Sequence, residues 1–298
     1  MKKIIDVSES DYLSLFLGNL IIKKEQGKIT IPTNNIETII FENSRMMISV
    51  PLINKLIEEK VNIIFCDYKH LPYAHILPLN GYFNNKVFLS QIKWDDYYKS
   101  ITWKRTIELK IINSLNLLKS LKIDNPKVLE LLQEYSEQVK LWDTTNREGL
   151  AAKVYFRAIF SEDFIRDKDN NDDWINLFLN YGYTVMLAYV SRSIVSKGFD
   201  NRIGIFHKSF DNGFLLASDL MEPLRCFVDK IVYEGIQKRM QFQKFDFRDF
   251  KKRLFEFLQE HILIKGKAMK VVDYIDYVVK GIIENVELED LVIGWDSK

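Results

Sequence analysis

The chain is short of the residues that punctuate loops. Its 298 residues include only 12 glycines and 6 prolines, which argues against an all-β or loop-rich fold and favours long helices. Two cysteines, Cys66 and Cys226, supply neither a disulfide framework nor a zinc cluster, and a reducing cytoplasmic setting fits them best. Histidine is scarce too, with His70, His75, His207 and His261 making up the set. Neither sign of charge is in excess. Lys and Arg total 42 against 41 for Asp and Glu, a net charge of +1, so any nucleic-acid partner must be argued from local patches. There is no G-x-G-x-x-G fingerprint, no P-loop and no G-x-S-x-G elbow, which makes a small-molecule enzyme of those classes improbable. The basic start Met1-Lys2-Lys3 is followed by Asp6 without an apolar run and does not read as a signal peptide.

What is present is apolar and periodic. Hydrophobic residues make up 47% and charged residues 28%, enough for a sizeable core and too few polar residues for disorder. Trp174 to Ser191 carries no charge, which touches the lower limit for a membrane span. Asn176, Asn180, Gly182 and three tyrosines lie within it, and Asp173 and Arg192 close it. The stretch therefore predicts a helix buried on most sides at the centre of a soluble domain.

The first third reads as strands. Leu13, Leu15 and Leu17 alternate, and Leu20-Ile21-Ile22 and Ile29-Thr30-Ile31 flank the polar turn Glu25-Gln26-Gly27-Lys28, a hairpin signal. Glu37 to Phe41 and Val61 to Phe65 are further β-rich runs. Between them Ser49, Pro51, Leu52, Leu56 and Ile57 predict one short capped helix. Asn80-Gly81 marks a turn. Beyond Phe88 the period becomes helical, through Trp103, Ile107, Ile111, Leu115 and Leu118. Pro126 opens another helix, and later ones are predicted near 146–160, 173–197, 219–236, 248–263 and 268–286. The expected fold is α+β and mainly α: a small N-terminal β-rich domain over 1–80, a linker over 81–90, and a larger all-helical domain over 91–298.

Three segments could carry chemistry. In Asn146 to Phe156, Glu148, Ala151, Ala152 and Tyr155 share a helical face, so a carboxylate flanked by alanines could reach across a tight helix contact. Thr145 and Glu148 equally fit a capping box, which would leave the glutamate a structural role. In Gly204-Ile205-Phe206-His207 the histidine sits in a loop between helices, where function often resides, although a lone histidine is commonly a surface or core residue. In Ala217 to Arg225, Ser218 reads as an N-cap, and Asp219 and Glu222 share a face at a helix start. Complementing the macrodipole would explain them, as would a cation held by enclosed carboxylates. Two glutamates and one imidazole suit Mg²⁺ or Mn²⁺ better than zinc or copper, and phosphodiester chemistry needs such a centre.

At these residues the sequence resembles the CRISPR-associated integrase nucleases of spacer acquisition, within them the type II subgroup. The resemblance lies in Asn146-Arg147-Glu148-Gly149 with Ala152 and Tyr155, Asn180-Tyr181-Gly182-Tyr183-Thr184, the Gly204…His207 loop, Ala217 through Arg225, and Val228 through Glu234. In the first third, Val61 through Asp67 and Leu71-Pro72 also match. It implies a β-domain followed by a helical catalytic domain, with Glu148, His207 and Glu222 as catalytic metal ligands and Asp219 as an auxiliary acidic residue. Many relatives carry Asp where Glu222 stands. The implied reaction is insertion of a short DNA duplex into a CRISPR array, the fragment's 3′-hydroxyl attacking a phosphodiester.

Basic residues cluster locally. Lys99, Lys104, Arg105 and Lys110 fall on one predicted helix, and Lys238, Arg239, Lys244, Arg248, Lys251, Lys252 and Arg253 form a denser run. Lys104, Arg105, Lys238, Arg239, Arg248, Lys251 and Lys252 are the candidate phosphate contacts, although interleaved acids also fit a solvated mixed face. Trp94 and Tyr98 could stack on bases, with core packing the stronger expectation. The resemblance further implies double-stranded DNA as substrate and a homodimer formed through the β-domains. It also implies a small second adaptation protein bridging two dimers and, in type II systems, the effector nuclease and a ring-shaped accessory protein. Two other readings stay open: a non-catalytic DNA-bridging scaffold, and a general metal-dependent nuclease on branched DNA.

Overall fold

A computed structural model describes residues 2–8, 12–24, 27–43, 45–68, 72–76, 84–169, 173–242 and 244–295. The chain divides into two compact units, Met1–Phe83 and Asn84–Lys298. The turn at Asn80-Gly81, part of the 25–28 turn, residues 81–83 of the expected linker, His70 and Leu71 lie outside the described residues.

The first unit is built from β1 (Lys3–Val7), β2 (Tyr12–Phe16), β3 (Asn19–Lys24), β4 (Gly27–Pro32), β5 (Ile36–Phe41), β6 (Met47–Ile48), helix α1 (Val50–Glu58), β7 (Asn62–Cys66) and β8 (Pro72–Ile76). One sheet has the order β1-β5-β7-β8, parallel except for β8, and a second has the order β4-β3-β2-β6. Leu17 does not continue the β2 alternation. It and Gly18 have φ of 47° and 73°, the two left-handed positions of a tight hairpin turn, and Leu17 is exposed. Leu13, Leu20, Ile39, Leu52, Leu56 and Ile63 meet in one core cluster. Ser49 occupies the cap position of α1 without a side-chain cap bond.

The second unit comprises α2 (Asn85–Ile92), α3 (Asp96–Ser120), α4 (Pro126–Glu137), α5 (Arg147–Ile159), α6 (Trp174–Ser196), α7 (Leu215–Leu220), a 3-10 turn at Glu222–Leu224, α8 (Arg225–Phe242), α9 (Phe247–Leu258), β9 (His261–Ile264), β10 (Lys267–Lys270) and α10 (Val271–Ile283). Asn84, Asp95, Asn125, Asp173 and Asp246 cap α2, α3, α4, α6 and α9 with their side chains. These bonds satisfy N–H groups that no helix turn can reach. Helix α3 packs against α4, α5, α8 and the 3-10 turn, and α6 packs against α7, α8 and α10.

The uncharged stretch lies in α6, where Tyr181, Gly182, Val185, Met186 and Val190 are buried. Among the described residues, no helix is long and apolar enough to cross a membrane. Two expected helices, 248–263 and 268–286, are shortened by a hairpin. β9 and β10 pair antiparallel through Lys265 and Gly266, whose φ of 49° and 73° again make a tight two-residue turn. Its strands place Ile262 and Ile264 in the core, so burial on alternate positions overrides the helical reading.

Candidate metal centre

Helix α5 begins with an unusual run of backbone. Trp142, Asp143 and Asn146 have φ of 60°, 47° and 51°, left-handed values that Asn and Asp tolerate better than Trp. The twist aims the Asp143 carboxylate at the helix start, where Arg147 N–H donates to Oδ1 at 2.8 Å and Glu148 N–H to Oδ2 at 3.0 Å. Gly149 N–H donates to Asn146 Oδ1 at 3.3 Å. The first turn is therefore capped by Asp143 and Asn146, not by the expected Thr145–Glu148 box. Thr145 Oγ1 is buried with no partner, and the Glu148 carboxylate is left for other contacts.

Those contacts lie across the bundle. Lys110 Nζ, from the middle of α3, donates to Glu148 Oε1 at 2.5 Å and to Glu222 Oε2 at 2.6 Å. Arg225 takes Glu222 as a fork, Nε to Oε2 and Nη2 to Oε1, both at 2.8 Å. Burial would raise the Glu222 pKa, but the Arg225 and Lys110 charges outweigh it and hold this carboxyl well below the ordinary range. Burial likewise opposes the Lys110 charge, and Glu222 and Glu148 more than offset it, so its pKa is raised. Glu222 heads the 3-10 turn, whose Pro223 carbonyl accepts from Asn113 Nδ2 at 3.0 Å.

Ser218 is not a cap. It lies inside α7 and donates back to the Phe214 carbonyl, and Asp219 closes that helix rather than opening the next. The fully buried Asp219 carboxylate accepts the N–H groups of Ile205, Phe206 and His207 at 2.6, 3.1 and 3.0 Å. A Cβ at Gly204 would stand 3.1 Å from Asp219 Oδ2 and 2.9 Å from Leu215 Cβ, so glycine permits the loop to lie this close. A carboxylate only accepts; His207 Nδ1–H therefore donates to Asp219 Oδ1 at 2.6 Å, and in the neutral ring Nε2 is the lone-pair nitrogen. That hydrogen bond, resisted by partial burial, raises the His207 pKa. Phe206 stacks on Trp103 with centroids 4.2 Å apart.

Glu148, Glu222 and His207 line one cavity of about 210 Å³. Asp219 is not among its lining residues; it acts on the site through the His207 loop. The lining also includes Arg166, Tyr155, Tyr183 and Asp229. Tyr155 and Tyr183 hydroxyls donate to Asp229 Oδ2 and Oδ1 at 2.9 and 2.5 Å. Arg166 donates to Asn176 Oδ1 at 2.8 Å and Asn180 Oδ1 at 2.6 Å. The Asn180-Tyr181-Gly182-Tyr183 segment thus supports one side of the cavity, and Gly182 lets α6 approach Val228 of α8.

Among the described residues no group of three His, Cys, Asp or Glu side chains is disposed to hold one ion. The donor chemistry nonetheless fits a hard divalent cation: two carboxylates already meet at one positive charge, the Lys110 ammonium, and an imidazole nitrogen shares their cavity. From the sequence, Lys110 reads with Lys99, Lys104 and Arg105 as one cation of a basic helix. Position sets it apart: Lys110 falls three residues after buried Ile107 and one before buried Ile111, inside the apolar stripe of α3.

Each of the remaining basic candidates also has a partner within the chain. Arg105 donates to the Val286 carbonyl, Lys104 pairs with Glu108 at 3.4 Å and Lys252 with Glu256 at 4.0 Å. Lys238, Arg239 and Lys251 lie over the rings of Phe245, Trp174 and Phe247, and Arg248 has partners of its own. Trp94 and Tyr98 pack together and Tyr98 donates to the Ile283 carbonyl at 2.6 Å, a structural role.

Residues 6–263 match the family model of CRISPR associated protein Cas1. The CRISPR-associated endonuclease Cas1 of Neisseria meningitidis serogroup C is 34% identical over 74% of this chain and 71% of its own length. In fold the chain resembles a casposase bound to its integration product, with a TM-score of 0.78, 21% identity, and coverage of 96% of this chain and 92% of that one. It also resembles a chain of a Cas6-RT-Cas1–Cas2 complex, with a TM-score of 0.71, 17% identity, and coverage of 100% of this chain and 36% of that one. A matched model over most of the sequence, joined to a relative at this identity, shows that the chain belongs to the Cas1 family of CRISPR-associated proteins.

Proposed function

We propose that this chain is a metal-dependent DNA endonuclease and integrase that inserts short foreign DNA fragments into a CRISPR array. Family membership implies metal dependence. The finer reading is that Mg²⁺ or Mn²⁺ is held by Glu148, Glu222 and His207. The observation that carries it is the meeting of Glu148 and Glu222 on one cationic group in a cavity that His207 also lines.

When bound, the ion polarises the reacting phosphoryl oxygen and offsets charge in the transition state. The chain's own groups supply position. Asp219 fixes the His207 ring and leaves Nε2 bare. Arg225 keeps Glu222 ionised and oriented. Arg166 adds positive charge to the lining of the same cavity. In the reaction the fragment's 3′-hydroxyl gives up its proton as its oxygen bonds to phosphorus, the bond from phosphorus to the target strand's 3′-oxygen breaks, and that oxygen takes up a proton, so no net proton is consumed. With water in place of the 3′-hydroxyl the same centre cuts DNA. No covalent enzyme intermediate is required.

The strand-rich domain over 1–80 is proposed as the homodimer surface and the helical domain over 91–298 as the catalytic part. Double-stranded DNA and a small second adaptation protein are the proposed partners, the latter supported by the fold shared with a Cas1–Cas2 complex chain. The type II effector nuclease and a ring-shaped accessory protein are further proposed partners. The test is strand transfer of a labelled short duplex into a plasmid bearing a CRISPR repeat, with the second protein and Mg²⁺ or Mn²⁺. Metal-dependent joining by the wild type that is lost in Glu148→Gln and Glu222→Gln is expected. Joining that survives both substitutions moves the chemistry elsewhere.

A further inference from the structure

The two carboxylates are bridged by a cation that the chain itself provides. Lys110 Nζ lies 2.5 Å from Glu148 Oε1 and 2.6 Å from Glu222 Oε2, and its side chain is 16% exposed. Arg225 is different in kind. It grips both oxygens of Glu222 and its guanidinium lies 4.6 Å from the Tyr183 ring centroid. Among the described hydrogen bonds and ion pairs, Lys110 alone joins Glu148 to Glu222.

We propose that Lys110 is a displaceable internal counter-ion. It holds Glu148 and Glu222 together, and a divalent cation that took these carboxylates as ligands would have to displace its ammonium. This rests on the metal-centre reading above. A divalent cation and the ammonium would compete for the same oxygens of Glu148 and Glu222, and their mutual repulsion in a partly buried site favours one occupant at a time. A lysine head is a compact charge on a flexible stem, and Lys110 itself lines the cavity of about 210 Å³, within which the head can turn away from the two carboxylates. The fork of Arg225 is held by two parallel bonds and stays with Glu222. Lys110 therefore lowers the affinity of the centre for its ion and supports the protein without it. A lysine that merely braced the site would do otherwise, since its removal would weaken ion binding along with stability.

The two readouts are opposite in sign, which makes the test sharp. Mn²⁺ binding is measured by calorimetry on the full chain without DNA, and melting temperature is measured with and without Mn²⁺. The proteins compared are wild type, Lys110→Met, Lys110→Gln and Glu148→Gln. Both Lys110 variants should melt below wild type without metal, bind Mn²⁺ about tenfold more tightly or better, and gain more melting temperature from it. Lys110→Gln carries the test if Lys110→Met does not fold. Binding lost in Glu148→Gln but unchanged or weaker in the folded Lys110 variants overturns the proposal for Lys110 alone. Binding absent from wild type and Lys110 variants alike, or undiminished in Glu148→Gln, removes the metal-centre reading and this proposal with it.

Discussion

The His207 imidazole and the Asp219 carboxylate are joined at 2.6 Å through Nδ1, and the same carboxylate holds the backbone that carries the histidine. Three successive N–H groups, from Ile205 to His207, end on its two oxygens. One buried side chain thus sets the loop, the ring plane and the tautomer. With Nδ1 committed to Asp219, Nε2 is the ring nitrogen left for the cavity that His207 lines.

Replacing Asp219 tests that relationship. Asp219→Asn nearly conserves volume but offers one acceptor oxygen where four bonds now converge, and its amide can donate to Nδ1 and reverse the tautomer. Strand-transfer rate is expected to fall roughly 10–100-fold, the range seen when partners of ligand histidines are removed, with DNA binding retained. An unchanged rate would show that the His207 tautomer does not matter to the reaction.

The two glutamates should differ in what they cost the fold. Glu222 is buried between Arg225 and Lys110, so Glu222→Ala strands enclosed positive charge and is expected to cost about 3–5 kcal/mol. Glu148 has a side chain 32% exposed, and in its absence Lys110 keeps Glu222; Glu148→Ala should cost about 1 kcal/mol or less. Urea unfolding of both variants checks the order. Equal losses would mean that the charges around Glu222 find water or other partners.

Much of this site was legible in the sequence, and the residues show where legibility stopped. The shared face of Glu148, Ala151, Ala152 and Tyr155 follows from helical spacing alone, and all four line the cavity. The cap of that helix was misread because Asp143 reaches it only through left-handed backbone at Trp142, Asp143 and Asn146, which no periodicity reveals. Ser218 was misread because the short α7 precedes the 3-10 turn, so a hydroxyl that looked terminal is interior. Lys110 and Arg225 are visible as charges, but the partners of Lys110 lie 38 and 112 residues away, beyond a local reading, whereas Arg225 and Glu222 are three apart. The β9–β10 hairpin was lost because its strands are short and their apolar residues also satisfy a helical period.

Gly182 belongs to a motif whose physical basis is close helix packing. A Cβ there would stand 2.3 Å from Val228 Cγ1, so Gly182→Ala forces α6 and α8 apart at the wall that carries Tyr183 and Asp229. A loss of about 1–3 kcal/mol is expected from overpacking, read as a lower melting temperature. Val228→Ala made in the same chain should recover part of it, since the clash is with that side chain. A double variant no more stable than Gly182→Ala would locate the strain elsewhere.

Asp229 should give the protein a distinctive pH response. Burial raises its pKa from 3.8 to about 6, while hydrogen bonds from Tyr183 and Tyr155 and the charges of Arg225 and Lys110 limit the rise. In the unfolded chain the carboxyl titrates near its ordinary value. Between about 4 and about 6 the folded protein therefore retains a proton that the unfolded chain has released, and this group's contribution falls as pH rises through that window, then levels off. Glu222 and Glu234, with lowered values, give the opposite slope at lower pH, so the comparison must be a difference. Unfolding free energies of wild type and Asp229→Asn, measured from pH 4 to pH 8, should change in difference up to about pH 6 and run parallel above it. Parallel curves across the whole range would show that Asp229 ionises as an ordinary carboxylate, with its two tyrosine hydroxyls and the nearby cations cancelling the burial.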